Sequence, residues 1–419
     1  MLILEFLYAI FIGLFNLGIK LFSNFNPKIK LINEGQNNWQ QRLSADFRSE
    51  NGDVVWMHCS SLGEFEQGRP VLESLKLEFP KIKILLTFFS PSGYEVRKNY
   101  SGADWVYYLP IDSKGNAKNF IQIIQPKLVI FVKYEYWYHY LKFLHQSRIP
   151  VLMISALFQE RQVFFKWYGS LHRKMLSYIT HFFVQNEASA KLLRKLNINK
   201  LSVVGDTRVD RALAIANQKE SISIIEAFKG DSFLIVAGSS WTADELLLAA
   251  TLKQLKNKNI KLLIAPHEIH SEHIMEIKKI FADWHPSLWS KGIIEPESKV
   301  FIIDVIGLLA KLYFYADLCW IGGGFNKTGI HNSIEAAVYH KSLVWGPKFE
   351  RYQEALDLIR LGGATSVDNA GQLVAAIQNF EASPEQRIIA EQSVQQYIEL
   401  SKGATSKIMD YINQQNIFE

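Results

Sequence analysis

Two short stretches hold residues whose types and spacing could do chemistry. In residues 317–346 an apolar run, Leu318 to Ile321, breaks on Gly322, Gly323 and Gly324. A polar loop follows, and Asn332-Ser333 open a helical pattern that leads into a second apolar run, Leu343 to Trp345. The pattern is a strand, loop, helix, strand unit. Glycines let a backbone approach a ligand closely, and the N–H groups and positive dipole end of a helix starting near Asn332 would hold a phosphate. Glu335 would then accept the two hydroxyls of a ribose, although Asn332-x-x-Glu335 is also the spacing of a capping box that needs no ligand. The second stretch, Ser60-Ser61-Leu62-Gly63-Glu64, follows the apolar run Val54 to Cys59 and sets a carboxylate at a strand end. Glu64 there either faces a ligand cleft or partners a cap on Ser61.

The elements that must position these residues follow one rhythm. Apolar runs at Val54 to Cys59, Ile82 to Phe89, Trp105 to Leu109, Leu128 to Val132, Val151 to Ile154, Phe182 to Val184 and Leu201 to Val204 alternate with amphipathic helical patterns such as residues 66–79 and 187–197. That alternation predicts βα units around a parallel sheet. It pauses over the polar stretch 206–230 and restarts at Phe233 to Ala237, Leu262 to Ala265, Val300 to Ile303, the glycine unit and Ala364 to Val367. Two Rossmann-like domains facing a cleft are expected, with ligands at the carboxyl ends of their strands. Gly238-Ser239-Ser240, Pro266-His267 and Gly322 to Asn332 fall at that edge in the second domain, and Lys133 to Trp137 in the first. The glycines do not form the Gly-x-Gly-x-x-Gly pattern of a dinucleotide fold, and His267, His270 and His273 lack the four-residue spacing of a His-Glu-x-x-His zinc helix. No metal site is expected.

At 419 residues and 48% hydrophobic, the chain has length for two domains and large cores. A formal charge of +5 suits an anionic ligand or a membrane surface, and no nucleic-acid motif accompanies it. Two cysteines, Cys59 and Cys319, exclude a disulfide framework and suit a reducing compartment. The N-terminus is the compositional outlier: Phe6 to Ile19 carries no charge between Glu5 and Lys20. It reads as an interfacial or buried helix, or as a span if the flanking charges are tolerated, and lacks the basic start and cleavage site of a signal peptide. Lys20, Lys28 and Lys30 would keep the body of the protein on the cytoplasmic side.

Taken together and in order, several motifs resemble the 3-deoxy-D-manno-octulosonic acid (Kdo) transferase family. They are Ser61-Leu-Gly-Glu64, Thr87-Phe-Phe-Ser-Pro-Ser-Gly93, Tyr108-Leu-Pro-Ile-Asp112, Glu135-Tyr-Trp137, Gly205 to Asp210, Pro266-His267, Gly322-Gly-Gly and His331-Asn-Ser-Ile-Glu335. The resemblance implies a GT-B fold with an N-terminal membrane-associated helix over 1–30 and an acceptor domain over 31–210. A CMP-Kdo domain over 211–385 and a helix over 386–419 packing back on the first domain complete it. It implies inverting transfer of Kdo from CMP-Kdo to a lipid A precursor of the lipid IVA type at the cytoplasmic side of the inner membrane, with no cofactor. Glu64 matches the family's base and Arg208 a residue that stabilises the transition state. Pro266, His267, Ile306, Gly307, Leu308, Asn332, Ser333, Ile334 and Glu335 match the positions that hold CMP-Kdo. The chain departs from the family at Lys133, where an acidic residue is usual, at Arg208 (commonly lysine), at His267 (commonly arginine) and at Leu308 (commonly glutamate). Other GT-B transferases, sugar-nucleotide epimerases and a silent nucleotide-binding surface protein are the competing readings.

Overall fold

Runs of apolar residues without alternation fold as strands covered on both faces, and such strands pair in parallel. The computed structural model describes residues 2–48, 52–218, 220–255 and 258–418. Met1, Ser49 to Asn51 and Glu419, which the expected first helix, polar connector and tail include, lie outside them. The chain divides into two units, one formed by residues up to Asp210 with those from Ser401 onward, the other by Arg211–Leu400.

In the first unit the strands are β1 (Val54–Cys59), β2 (Lys83–Phe88), β3 (Trp105–Tyr108), β4 (Leu128–Val132), β5 (Val151–Ala156), β6 (His181–Val184) and β7 (Leu201–Val203). They form one parallel sheet in the order β3-β2-β1-β4-β5-β6-β7. Alternate residues of β1 serve two cores: Val54 and Trp56 pack on one face with Phe131 and Tyr140, while Val55, Met57 and Cys59 pack on the other with Phe65 and Leu72. The second unit repeats the plan with β8 (Phe233–Ser240), β9 (Ile260–Pro266), β10 (Ser287–Leu288), β11 (Val300–Ile302), β12 (Leu318–Ile321), β13 (Ser342–Trp345) and β14 (Ala364–Ser366). Their order is β10-β11-β9-β8-β12-β13-β14, again parallel. The α/β class read from the alternation is the one formed, and the strand the sequence did not announce is the two-residue β10.

Among the described residues three helices precede β1: α1 (Leu2–Phe22), α2 (Pro27–Gly35) and α3 (Trp39–Asp46). One face of α1 is tied down. Lys142 Nζ lies 2.8 Å from Glu5 Oε2, Tyr8 Oη donates to Asp112 Oδ2 at 2.7 Å, and Ile12 and Ile19 are buried with Ile111. These positions are spaced three, four and seven residues apart, so they share a stripe. Phe6, Ile10, Phe11, Leu14, Leu17, Leu21 and Phe22 off that stripe are exposed. The helix is long and apolar enough to cross a membrane, yet it lies docked along its length against the first unit.

Asp112 holds this arrangement from the end of β3. Besides Tyr8 it accepts the backbone N–H groups of His139 at 3.0 Å and Tyr140 at 2.9 Å, capping the helix Tyr138–Gln146 from a distant part of the chain. Asp210 does the same for Ala404–Gln414, accepting from Gly403 N at 2.6 Å and Thr405 N at 2.7 Å. The tail is therefore two helices, Pro384–Ser401 and Ala404–Gln414, broken where Gly403 takes a φ of 81°. Only the second packs in the first unit, through Ile408, Met409 and Ile412.

Burial raises the Asp112 carboxyl to about 7. A proton bound more tightly in the folded chain stabilises the fold at low pH, and that contribution is lost as the pH rises through the folded value. Asp112→Ala strands two helix N–H groups and should cost roughly 1–3 kcal/mol, seen as a lower melting temperature. Asp112→Asn should flatten the dependence of melting temperature on pH between about 4 and 7. An alanine variant that melts like the parent would show that solvent satisfies the helix end.

Candidate functional site

In the first unit the chemistry gathers at the carboxyl end of β1. Ser61 is the N-cap of α4 (Leu62–Glu78). Glu64 Oε2 accepts from Ser61 N at 2.9 Å and from Ser61 Oγ at 3.2 Å, and the Glu64 N–H lies 3.5 Å from Ser61 Oγ. The capping box is thus formed. It occupies one carboxylate oxygen; among the described residues Oε1 accepts no hydrogen bond. Burial, then the charge of Glu135, raises Glu64 to about 6 against the smaller opposing effects of His58 and Ser61.

Behind Glu64 runs a buried polar chain that the sequence did not reveal. Trp56 Nε1 donates to Thr87 Oγ1 at 2.8 Å, Thr87 Oγ1 lies 2.9 Å from His58 Nδ1, and His58 Nε2 lies 3.0 Å from Glu135 Oε2. Trp137 Nε1 donates to the same oxygen at 2.5 Å. Burial pushes the Glu135 carboxyl up, but His58 and the donors Ser60 and Trp137 together hold it below the ordinary value. Glu135 therefore keeps its charge, and that charge is what lifts Glu64 beyond desolvation alone.

Arg208 grips Asp206, with Nε 3.2 and 3.1 Å from the two carboxylate oxygens and an NH2 contact of 2.6 Å. Burial pushes Asp206 up, while Arg208 and then Lys133 hold it below its ordinary value. The charges of Arg208 and Lys133 thus both act on this carboxylate. Lys133 adopts a left-handed φ of 71° just beyond β4. Thr207 Oγ1 donates to Gln67 O at 2.5 Å, tying this loop to α4 and so to the helix that carries Glu64.

In the second unit three βα loops meet. His267 N donates to Ser240 O at 2.9 Å just beyond β9, and its ring stacks on Trp241 (centroids 4.6 Å apart) and on His331 (4.4 Å). Trp241 Nε1 donates to His331 Nε2 at 2.9 Å, and burial with the neighbouring His267 lowers His331 to about 4, so this imidazole is neutral near pH 7. Asp244 Oδ2 accepts from Trp241 N at 3.0 Å and Gly323 N at 2.9 Å, clamping the glycine loop to the loop after β8. A Cβ on Gly322 would stand 2.2 Å from Ser239 O, and one on Gly324 2.5 Å from Gly346 N. Close packing of loop on loop, besides any ligand, therefore requires both glycines.

The helix expected from Asn332 is a single turn, Ile334–Ala337, with Ser333 at its cap. His340 already turns left-handed at a φ of 57° and β13 begins at Ser342, leaving no length for more. Its macrodipole is correspondingly small, which corrects the expectation of a helix-dipole phosphate site. Asn332 Nδ2 donates to Glu335 Oε1 at 3.0 Å, and burial raises the Glu335 carboxyl against Asn332 and Arg211. The Ser333 hydroxyl is buried without a hydrogen bond, and Ile334 is buried in the core. Ile306 is 87% exposed, Gly307 has a φ of 95° and Leu308 caps the short helix Leu309–Leu312, so residues 306–308 form an open rim. Pro266 ends β9. The other histidines of the 267–273 stretch pair with glutamates, His270 with Glu268 at 3.3 Å and His273 with Glu245 at 3.2 Å.

Comparison with known proteins adds the following. Residues 37–211 match the family described as 3-Deoxy-D-manno-octulosonic-acid transferase (kdotransferase). A 3-deoxy-D-manno-octulosonic acid transferase of Aquifex aeolicus is 26% identical over 81% of this chain and 89% of its own length. One of Chlamydia pneumoniae is 28% identical over 75% of this chain and 74% of its own. A bifunctional glycosyltransferase/methyltransferase of Fusobacterium nucleatum is 25% identical over 81% of this chain, which spans 55% of that longer protein. Among solved structures, the UDP-GlcNAc 2-epimerase of Neisseria meningitidis bound to UDP-GlcNAc covers 87% of this chain and all of its own at a TM-score of 0.60 and 16% identity, a likeness of fold alone.

Glu64 should titrate at about 6 in carbon-13 spectra of glutamate-labelled protein, above the ordinary value of about 4.3. Titration at the ordinary value would mean that water reaches the carboxylate and that Glu135 does not act on it.

Proposed function

We propose that this chain, whose residues 37–211 match the 3-deoxy-D-manno-octulosonic-acid transferase family, is an inverting glycosyltransferase that moves Kdo from CMP-Kdo to a lipid A precursor of the lipid IVA type. The observation that carries this reading is Glu64: inside the family-matched segment, it has one oxygen fixed by the cap, the other without a hydrogen-bond partner among the described residues, and a carboxyl poised at about 6.

In this mechanism an acceptor hydroxyl attacks the anomeric carbon of Kdo from the face opposite the CMP phosphate. The new C–O bond forms as the bond to phosphate breaks, through an oxocarbenium-like state, and the hydroxyl proton passes to Glu64 Oε1. A base near 6 is ionised at neutral pH yet basic enough to accept that proton. CMP leaves with the electron pair of the broken bond. Arg208, held in place by its pair with Asp206, supplies positive potential for the developing negative charge. The donor's nucleotide is held by Pro266, His267, the 306–308 rim, Asn332, Ser333, Ile334 and Glu335, with Glu335 as ribose acceptor and loop N–H groups, rather than a helix dipole, facing phosphate. No metal or cofactor enters the scheme.

The apolar face of α1 lies in the cytoplasmic leaflet of the inner membrane, with Lys20, Lys28 and Lys30 at the anionic headgroups. Docking of its other face through Glu5, Tyr8 and Ile12 favours a helix lying in the membrane surface over one crossing it.

Glu64→Gln keeps the shape and can still accept from Ser61, so it should fold and bind CMP as the parent does while Kdo transfer falls by about 10²–10⁴. The parent's rate should fall as the pH drops through about 6, because the base is protonated there. Calorimetry with CMP beside a transfer assay checks both. A glutamine variant that transfers at the parent rate would sink the mechanism.

A further inference from the structure

The connector between α1 and β1 does not merely span a gap. Its residues 33–41 read Asn-Glu-Gly-Gln-Asn-Asn-Trp-Gln-Gln, and they close a cavity of about 380 Å³ against the second half of α1 and the end of β3. Eight of its twelve lining residues are Asn or Gln, and none is Asp or Glu. Gln36 and Asn116 spend their amides on the backbone of Leu109 and Ile111. Asn16, Asn33, Asn37, Asn38, Gln40 and Gln41 make no side-chain hydrogen bond to any described residue. Trp39 offers a half-buried ring, and Lys20 the cavity's cation.

A planar amide donates and accepts at fixed angles, which matches vicinal sugar hydroxyls, and an aromatic ring covers the C–H face of a pyranose. A wall with one ammonium and no carboxylate favours an anion over a cation. Asn38, at a left-handed φ of 51°, does not cap α3, so the opening N–H groups of that helix add to the same preference. Leu17, Leu21 and Phe22, on the same turns of α1 as Asn16 and Lys20, are exposed and apolar. A ligand with a polar head in the cavity would have its apolar part beside them.

We infer that this cavity binds the phosphorylated saccharide headgroup of a membrane glycolipid, at a subsite separate from Glu64. The inference rests on the reading of α1 as membrane-bound, but not on the transfer reaction. Its ligand is either the acceptor or another lipid with the same head chemistry.

The test uses the full chain and vesicles of phosphatidylethanolamine and phosphatidylglycerol, with and without a phosphorylated glucosamine-disaccharide lipid, in the absence of donor. Asn37→Ala with Gln40→Ala keeps the charge and alters exposed side chains that hold no other element. The parent should partition more tightly when the glycolipid is present. The double variant should lose that increment, about tenfold for two hydrogen bonds, and bind plain vesicles as before. With donor added, a raised KM for the glycolipid at unchanged kcat identifies the occupant as the acceptor, and an unchanged KM identifies it as a neighbouring lipid. Retention of the full increment by the variant, or equal loss from both vesicle types, would overturn the proposal. A parent protein that shows the increment but transfers nothing would sink the transferase reading and leave this site standing.

Discussion

One carboxylate oxygen closing the first turn of α4 is the contact on which the chemistry proposed for the first unit depends. Glu64 Oε2 is held by the Ser61 backbone and hydroxyl, so the direction of Oε1 is set by the cap rather than by a free rotamer. Cap and base are therefore compatible roles for the two oxygens of one residue. The cap is worth only about 1 kcal/mol to the helix, but a side chain fixed in this way gives up little freedom when it acts. Its surroundings reinforce the arrangement: Gly68 of α4 would drive a Cβ to 2.9 Å from Met57 and Val132, so the helix lies hard against the sheet, and Thr207 ties its second turn to the loop of Arg208. Moving Glu64 would mean moving a strand, a helix and that loop together.

Charge then tunes what geometry has fixed. Glu135 stays ionised through its contacts with His58, Ser60 and Trp137, and its negative charge makes Glu64 a stronger base than burial alone would. Arg208, and then Lys133, hold the buried Asp206 carboxyl below its ordinary value. In the second unit the same economy of loops holds, but through packing: Asp244 clamps the glycine loop, and three rings, Trp241, His267 and His331, lock the neighbouring loops by stacking. With His331 neutral near pH 7, these rings supply shape and hydrogen-bond edges more than charge.

Much of the fold was legible because parallel strands covered on both faces are rich in apolar residues, and thirteen of the fourteen strands among the described residues coincide with short runs read from the sequence, although Leu201–Val203 and Ala364–Ser366 are only partly apolar and half-covered. Ser287–Leu288 was not, being too short to make a pattern. His58 was hidden for a different reason: it sits in an apolar strand and finds its partners, Thr87 and Glu135, on other strands and loops far along the chain. The single turn at Ile334–Ala337 was overread because its composition favours helix, while the distance to β13 forbids one. Docking of α1 was likewise invisible, since the pair Glu5 and Lys142 is 137 residues apart in sequence. Local motifs such as Ser61-x-x-Glu64 announced the cap directly and its chemistry only through resemblance.

The central claim is that the chain transfers Kdo. Mass spectrometry of a lipid A precursor incubated with the protein and CMP-Kdo tests it most directly. The account predicts acceptor carrying added Kdo, with one CMP released for each Kdo transferred. Unmodified acceptor in the presence of intact donor, or CMP released as free Kdo accumulates, would contradict it.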